Sequence, residues 1–189
     1  MNPYISLAKQ AVESYIKERK IIAVPDNLPE EFYKKRSGTF VTIEKNKELR
    51  GCIGTYLPTR ANIAEEIIHN AIAAATEDYR FGPIQPAELS YLSYVVYILS
   101  EPELVKNEKE LNPQKFGIIV KTAPISFSNN TDVVFNGHMV AKSGLLLPDL
   151  EEVNTVEKQI NIACQKARID PKKEKIMIYK FTAEKYESQ

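Results

Sequence analysis

Stretches with the period of a helix and stretches with the period of a strand alternate along this 189-residue chain without a fixed rhythm, and short polar turns separate successive strands. That pattern argues against a steady βαβ succession, whose parallel strands need crossovers of about a dozen residues or more. It predicts an α+β fold in which a largely antiparallel sheet is flanked by helices. The first segment reads as a helix. Asn2 can cap it, Pro3 suits its first position, and Tyr4, Leu7, Ala8, Ala11, Val12, Tyr15 and Ile16 recur at helical spacing. Pro25 and Pro29 mark a loop. Residues 38–44 are rich in β-branched and aromatic side chains, residues 45–48 can turn the chain, and residues 49–54 return as the partner strand. Thr59 is placed to cap a second helix with Ile63, Ala64, Ile67, Ile68, Ala71, Ile72, Ala74 and Ala75 on its apolar face. Arg80 would complement its far end, and Gly82-Pro83 would end it.

The second half is strand-rich. Residues 92–100 and 117–122 read as strands, and residues 133–135 and 138–140 flank Asn136-Gly137, a strong tight-hairpin signal. Val153, Val156, Ile160, Ala163, Cys164 and Ala167 form one helical stripe, and residues 176–181 read as a closing strand. A chain of this length suits one large domain, or two lobes sharing a core, and buries roughly 70% of its unfolded surface. No apolar run approaches the ~18 residues of a membrane span. The first 20 residues mix both charge signs and lack the apolar block of a signal peptide. With two distant cysteines, the expected location is a reducing cytoplasm.

Charge narrows the partners. The 25 basic and 25 acidic side chains cancel, which makes the chain a poor generic binder of nucleic acid. The distribution is uneven, at +4 over residues 1–60, −6 over 61–105 and +2 over 106–189. The basic start, with Lys34-Lys35-Arg36, reads either as a solvated face or as a recruiting patch for an anionic partner.

Unusual chemistry concentrates at Leu49-Arg50-Gly51-Cys52-Ile53-Gly54. Strand alternation would put Arg50, Cys52 and Gly54 on one face, and a guanidinium beside a thiol favours the thiolate. Two glycines within four residues suggest a bulge or a close backbone approach. Three readings of Cys52 stay open: a catalytic thiolate, a ligand contact, or a small structural hydrophobe. Cys164 shares the apolar stripe of its helix and reads as core. His69 faces away from the apolar side of its helix, and His138 sits at a turn tip, so neither is a strong base for Cys52. Without Cys-x-x-Cys or paired histidines, no dedicated metal site is expected, and no cofactor is called for. The Gly51-x-x-Gly54 pair does not make an RNA-clamping KH loop, which joins two helices. Arg80, in Glu77-Asp78-Tyr79-Arg80-Phe81, serves either the helix end or an anion. Gly144, opening Gly144-Leu145-Leu146-Leu147-Pro148, reads as part of a buried edge element beside a cleft.

The hexapeptide at residues 49–54 resembles the hallmark of the AMMECR domain family, whose microbial members are called AmmeMemoRadiSam system protein A. The resemblance extends to Gly38-Thr39-Phe40-Val41-Thr42, Ala73-Ala74-Ala75, Asp78-Tyr79-Arg80-Phe81-Gly82-Pro83, Glu88-Leu89, residues 96–102 and residues 144–148, in family order over nearly the whole chain. The chain departs from the family pattern in having no tryptophan, in Ala167-Arg168 where Ala-Gly is common, and in a longer stretch over residues 122–142. The resemblance implies a single AMMECR-type domain over residues 1–189, built as two unequal lobes with the hexapeptide near a groove. It also implies association with a Memo-type protein and a radical SAM protein. It supplies no established reaction.

The leading expectation is a small anionic ligand bound at the hexapeptide. Arg50, Gly51, Gly54, Arg80 and Gly144 would contact it, and Cys52 would be the nucleophile. The rival is a non-enzymatic module docking one of those partners. A nucleic-acid or translation role is the third reading.

Overall fold

The structure, a computed structural model, describes residues 2–122 and 141–188. The expected hairpin at Asn136-Gly137 and His138 lie outside the described residues. The chain divides into two compact units, residues 1–99 with 184–189 and residues 100–183.

The first unit opens with α1 (Pro3–Glu18), capped by the Asn2 side chain as the sequence predicts. The short α2 (Glu31–Lys34) follows, and then the hairpin of β1 (Thr39–Lys45) and β2 (Glu48–Gly54). Next come α3 (Ile63–Thr76) and, after a 3-10 turn over Pro86–Tyr91, β3 (Leu92–Leu99). The sheet order is β2-β1-β3-β8, where β8 is Ala183–Glu187. β1 pairs antiparallel with both β2 and β3. Val41 and Ile43 of β1 and Tyr94, Val96 and Ile98 of β3 join one buried cluster with the apolar sides of α1 and α3. Phe32 of α2 is wholly buried in the same cluster.

The second unit holds β4 (Glu103–Leu104), β5 (Gly117–Lys121), β6 (Ser143–Leu146), α4 (Val156–Lys166) and β7 (Met177–Phe181). Its strands run in the order β4-β7-β5-β6, and each neighbouring pair is antiparallel. Ile118, Val120 and Leu146 pack against Ile160, Ala163 and Cys164 of α4. Cys164 is the core residue its stripe predicts, and burial pushes its thiol pKa up.

These elements give the expected α+β class with antiparallel sheets, and three local expectations change. Thr59 does not cap α3. Asn62 does, accepting the Glu65 N–H, while Thr59 is drawn to the Glu66 carboxylate. The helix ends at Thr76, well before Gly82, because the Ala75 carbonyl accepts the Ile84 N–H from a chain that has already turned back. The strand at residues 177–181 does not close the chain, since β8 follows it and returns to the first sheet. No helix among the described residues is long and apolar enough to cross a membrane.

Gly51 governs how α3 sits on the sheet. A Cβ there would stand 2.1 Å from the Ala74 carbonyl oxygen, so the helix backbone rests directly on the strand. At exposed Gly82 an added Cβ would meet nothing within 4 Å. We therefore expect Gly51→Ala to destabilise the protein by about 1–3 kcal/mol through forced separation of α3 and β2. Gly82→Ala should stay within about 0.5 kcal/mol of the wild type. Urea titrations of the two variants check the contrast; equal midpoints would show that α3 shifts without cost.

Candidate functional site

The hexapeptide forms β2, an edge strand of the first sheet, and a bulge alters its alternation. Ile43 faces Gly51 while Glu44 faces Leu49, which leaves Arg50 as the extra residue with no partner across the pair. Cys52 lies opposite Thr42, whose hydroxyl donates to Sγ at 3.2 Å. Arg50 turns elsewhere. Its Nε and Nη2 donate to the two Glu88 carboxylate oxygens at 3.0 Å each, and Nη1 donates to the Gly82 carbonyl at 2.9 Å. Lys45 joins Glu88 at 3.0 Å, and its cross-strand partner Leu92 packs on the core beneath the helices. Arg50 therefore belongs to the helix side of the sheet rim and Cys52 to the face of Thr42. The expected same-face pair of guanidinium and thiol is undone by the bulge, because one unpaired residue breaks the period-two alternation on which that expectation stood.

Arg80 is a guanidinium that feels the Cys52 charge. The strand's outer edge would leave the Cys52 N–H without a ladder partner, and Asp78 fills that place, accepting it at 2.8 Å. The Asp78 carboxylate also holds Arg80 at both ends, from Nε at 2.9 Å and Nη2 at 2.6 Å, and accepts the Arg80 backbone N–H at 3.2 Å. Asp78 is 4% exposed, whereas the Arg80 side chain is 45% exposed. The Arg80 pKa is pushed up mainly by the hydrogen bond to Asp78, with the Cys52 charge adding to it. Fixed along one edge, Arg80 keeps its Nη1 donors pointing away from Asp78, without an acceptor among the described residues. Its guanidinium carbon also lies 5.5 Å from the centre of the Phe81 ring.

The three glycines have packing roles. Gly51 admits α3, and a Cβ at Gly54 would fall 2.2 Å from the Phe40 ring. Gly144 lies in β6 of the second unit, where a Cβ would fall 2.0 Å from the Ala163 carbonyl oxygen of α4. His69 is half-buried, and its pKa is lowered first by that burial and then by Arg60, with Glu65 and Glu66 opposing. None of the charges acting on it is Cys52. No group of three acidic, histidine or cysteine side chains among the described residues could hold a metal.

Sequence reasoning missed Glu88 and Asp78 as the partners of the two arginines, and Lys45 as the second cation on Glu88. Asp78-x-Arg80 is a short Asx-type spacing, and Glu88 accepts the Gln85 N–H as in a capping box, so both carboxylates had local signals. Their reach to Arg50 and Cys52 did not. Arg50 first, then the Gln85 N–H and Lys45, hold the Glu88 carboxyl down at about 2. Arg80 first, then the Cys52 N–H, hold Asp78 at about 2 against the opposing effect of burial.

Both folded values lie below the ordinary 3.8 and 4.5, so each pair stabilises the fold fully above about pH 4.5 and loses that stabilisation as pH falls toward 2. The linkage is on the order of 2–3 kcal/mol per group. Asp78→Asn and Glu88→Gln should each flatten the fall in unfolding free energy between pH 5 and pH 2, read by urea titration at stepped pH. A variant with the wild-type slope would show that its carboxylate is not held as described.

The AMMECR1 family pattern matches residues 5–186. A protein of Thermotoga maritima is 45% identical over 186 residues, covering 98% of this chain and 97% of its own. A Clostridium acetobutylicum protein is 42% identical over 170 residues, which are 89% of this chain but 32% of that longer one. The crystal structure of an uncharacterised Pyrococcus horikoshii protein superposes with a TM-score of 0.82 at 30% identity, over 98% of this chain and 90% of that one. The chain belongs to the AMMECR1 family.

Proposed function

We propose that the Arg80–Cys52 end of the motif binds a small anionic ligand, and that the Cys52 thiol contacts it and can act as a thiolate nucleophile. One observation carries the reading: Asp78 grips the Cys52 N–H and one edge of Arg80 together, which leaves the other edge of a preoriented, half-exposed guanidinium within electrostatic reach of Cys52. A planar guanidinium fixed along one edge is well suited to a carboxylate or phosphate. A cation close to a thiol also favours its ionised form. Arg50, satisfied by Glu88 and Gly82, serves by holding β2 against the 3-10 turn, and Gly51 and Gly54 shape the strand beneath the ligand. Gly144 takes no part in this proposal.

A second reading is docking of a Memo-type or radical SAM partner. Three large side chains near the motif in sequence or through its contacts favour it: Tyr79 is 95% exposed, Tyr91 60% and Leu49 44%. Tyrosine and arginine are the residues that most often anchor protein interfaces. A nucleic-acid role has less support, since the chain carries no net charge.

Paired alkylation separates the two readings. Iodoacetate is an anion and iodoacetamide is neutral, so an anion site beside Cys52 raises the first rate relative to the second. Arg80→Gln should lower that rate ratio at Cys52 by about tenfold, the order of one charge-assisted hydrogen bond. Arg50→Gln should leave the ratio unchanged while weakening the fold, and peptide mapping distinguishes Cys52 from buried Cys164. A ratio indifferent to Arg80 would remove the anion site. Loss of partner capture in Tyr79→Ala with the ratio intact would favour docking.

A further inference from the structure

A second corner of the first unit carries charge that the Arg80 site does not use. The loop between β2 and α3 is held from beneath by Glu66, which is 1% exposed. The Glu66 carboxylate accepts from Thr55 Oγ1 at 2.6 Å, Thr59 Oγ1 at 2.8 Å, and the N–H groups of Thr59 and Arg60 at 2.7 Å each. Ala61 donates its N–H to Glu65 at 3.3 Å, so three consecutive amides of this loop end on carboxylates. A buried charge survives only with such compensation, and here the compensation also fixes the loop. From the other side, Arg36 Nε donates to the Arg60 carbonyl at 3.2 Å, and the Lys35 carbonyl accepts the Ile63 N–H at 2.9 Å.

The folded chain thus brings Lys35 and Arg36, which follow α2, next to Arg60, which precedes α3. All three are exposed, and none forms an ion pair among the described residues, although neighbouring Lys34 pairs with Glu30. His69 lies within the field of Arg60, together with Glu65 and Glu66. The positive end of α3 points to the same corner, at the far end of a 14-residue helix from Arg80, roughly 20 Å away.

We propose that this corner is a binding site for a phosphate monoester, with Arg36 and Arg60 as the principal donors, Lys35 as a supporting charge and His69 at its margin. Arg36 has spent one of its five guanidinium protons and Arg60 none. A carboxylate is satisfied by a single guanidinium fork, whereas the three oxygens of a dianionic phosphate can accept from two arginines and a lysine at once. The loop that carries Arg60 is already ordered by Glu66, so binding spares the cost of ordering it.

The test is NMR of the 15N-labelled protein, titrated with inorganic phosphate against sodium chloride of matched ionic strength. Phosphate should give saturable shifts at the Arg36 and Arg60 Nε–H signals and should raise the His69 pKa, while chloride does neither. Arg60→Ala, with the remaining spectrum verifying its fold, should weaken phosphate binding by about tenfold or more, and Arg36→Ala should do the same independently. Shifts that stay linear and are matched by chloride would overturn the proposal, as would both variants binding phosphate like the wild type. An oligothymidylate that shifts the same signals with affinity growing with its length would also overturn it, assigning the corner to a nucleic-acid backbone.

Discussion

The seat of α3 on β2 at Gly51 is the contact from which the rest of the first unit follows. With the Ala74 carbonyl resting where a side chain would otherwise stand, the helix ends beside the outer edge of β2. The segment leaving it can then deliver Asp78 to the Cys52 N–H, the Gly82 carbonyl to Arg50, and Glu88 to Arg50 and Lys45. The other end of the same helix places Glu66 beneath the loop that enters it. A Cβ at residue 51 would lift one end of this arrangement away from the strand it serves.

Electrostatically, the unit spends buried carboxylates on holding backbone and guanidinium groups in place. Asp78 and Glu66 are nearly inaccessible, Glu88 is mostly covered, and each accepts several hydrogen bonds from loops or arginines. Burying a charge costs several kcal/mol unless it is compensated in this way, so such carboxylates mark segments whose geometry is fixed. Two of those segments end in exposed arginines, Arg80 and Arg60, on chain that cannot easily relax. That combination of rigid backbone and available donors is what both proposals of anion binding rest on.

Much of the fold was legible in the residues themselves. The Asn2-Pro3 cap, the apolar stripe of α1, the β1–β2 hairpin and the core placement of Cys164 all depend on neighbours within a few positions. The candidate site was legible only as a set of names. Arg50, Cys52 and Arg80 stood out by type and motif, but regular alternation put Arg50 on the face of Cys52, and the bulge takes it off that face. Nothing local announces that Arg50 is an extra residue, because the bulge is defined by the register of β1 and not by β2 alone. By position Glu66 is an acid in the first turn of a helix, and its burial depends on the loop that folds over it. β8 was missed because a short, charged strand has little pattern of its own and exists by pairing with β3.

By itself, the sequence determined the α+β class, the positions of most helices and strands, and the kinship carried by residues 49–54 and the blocks that follow, since propensity, capping and periodicity act within a few residues of chain. The tertiary structure decided which charges meet. Arg50 went to Glu88, Asp78 to the Cys52 N–H, and Arg36 to the Arg60 carbonyl. Those pairings join residues that a helix, a bulge and a turn bring together, and charge recognises distance in space without regard to distance along the chain.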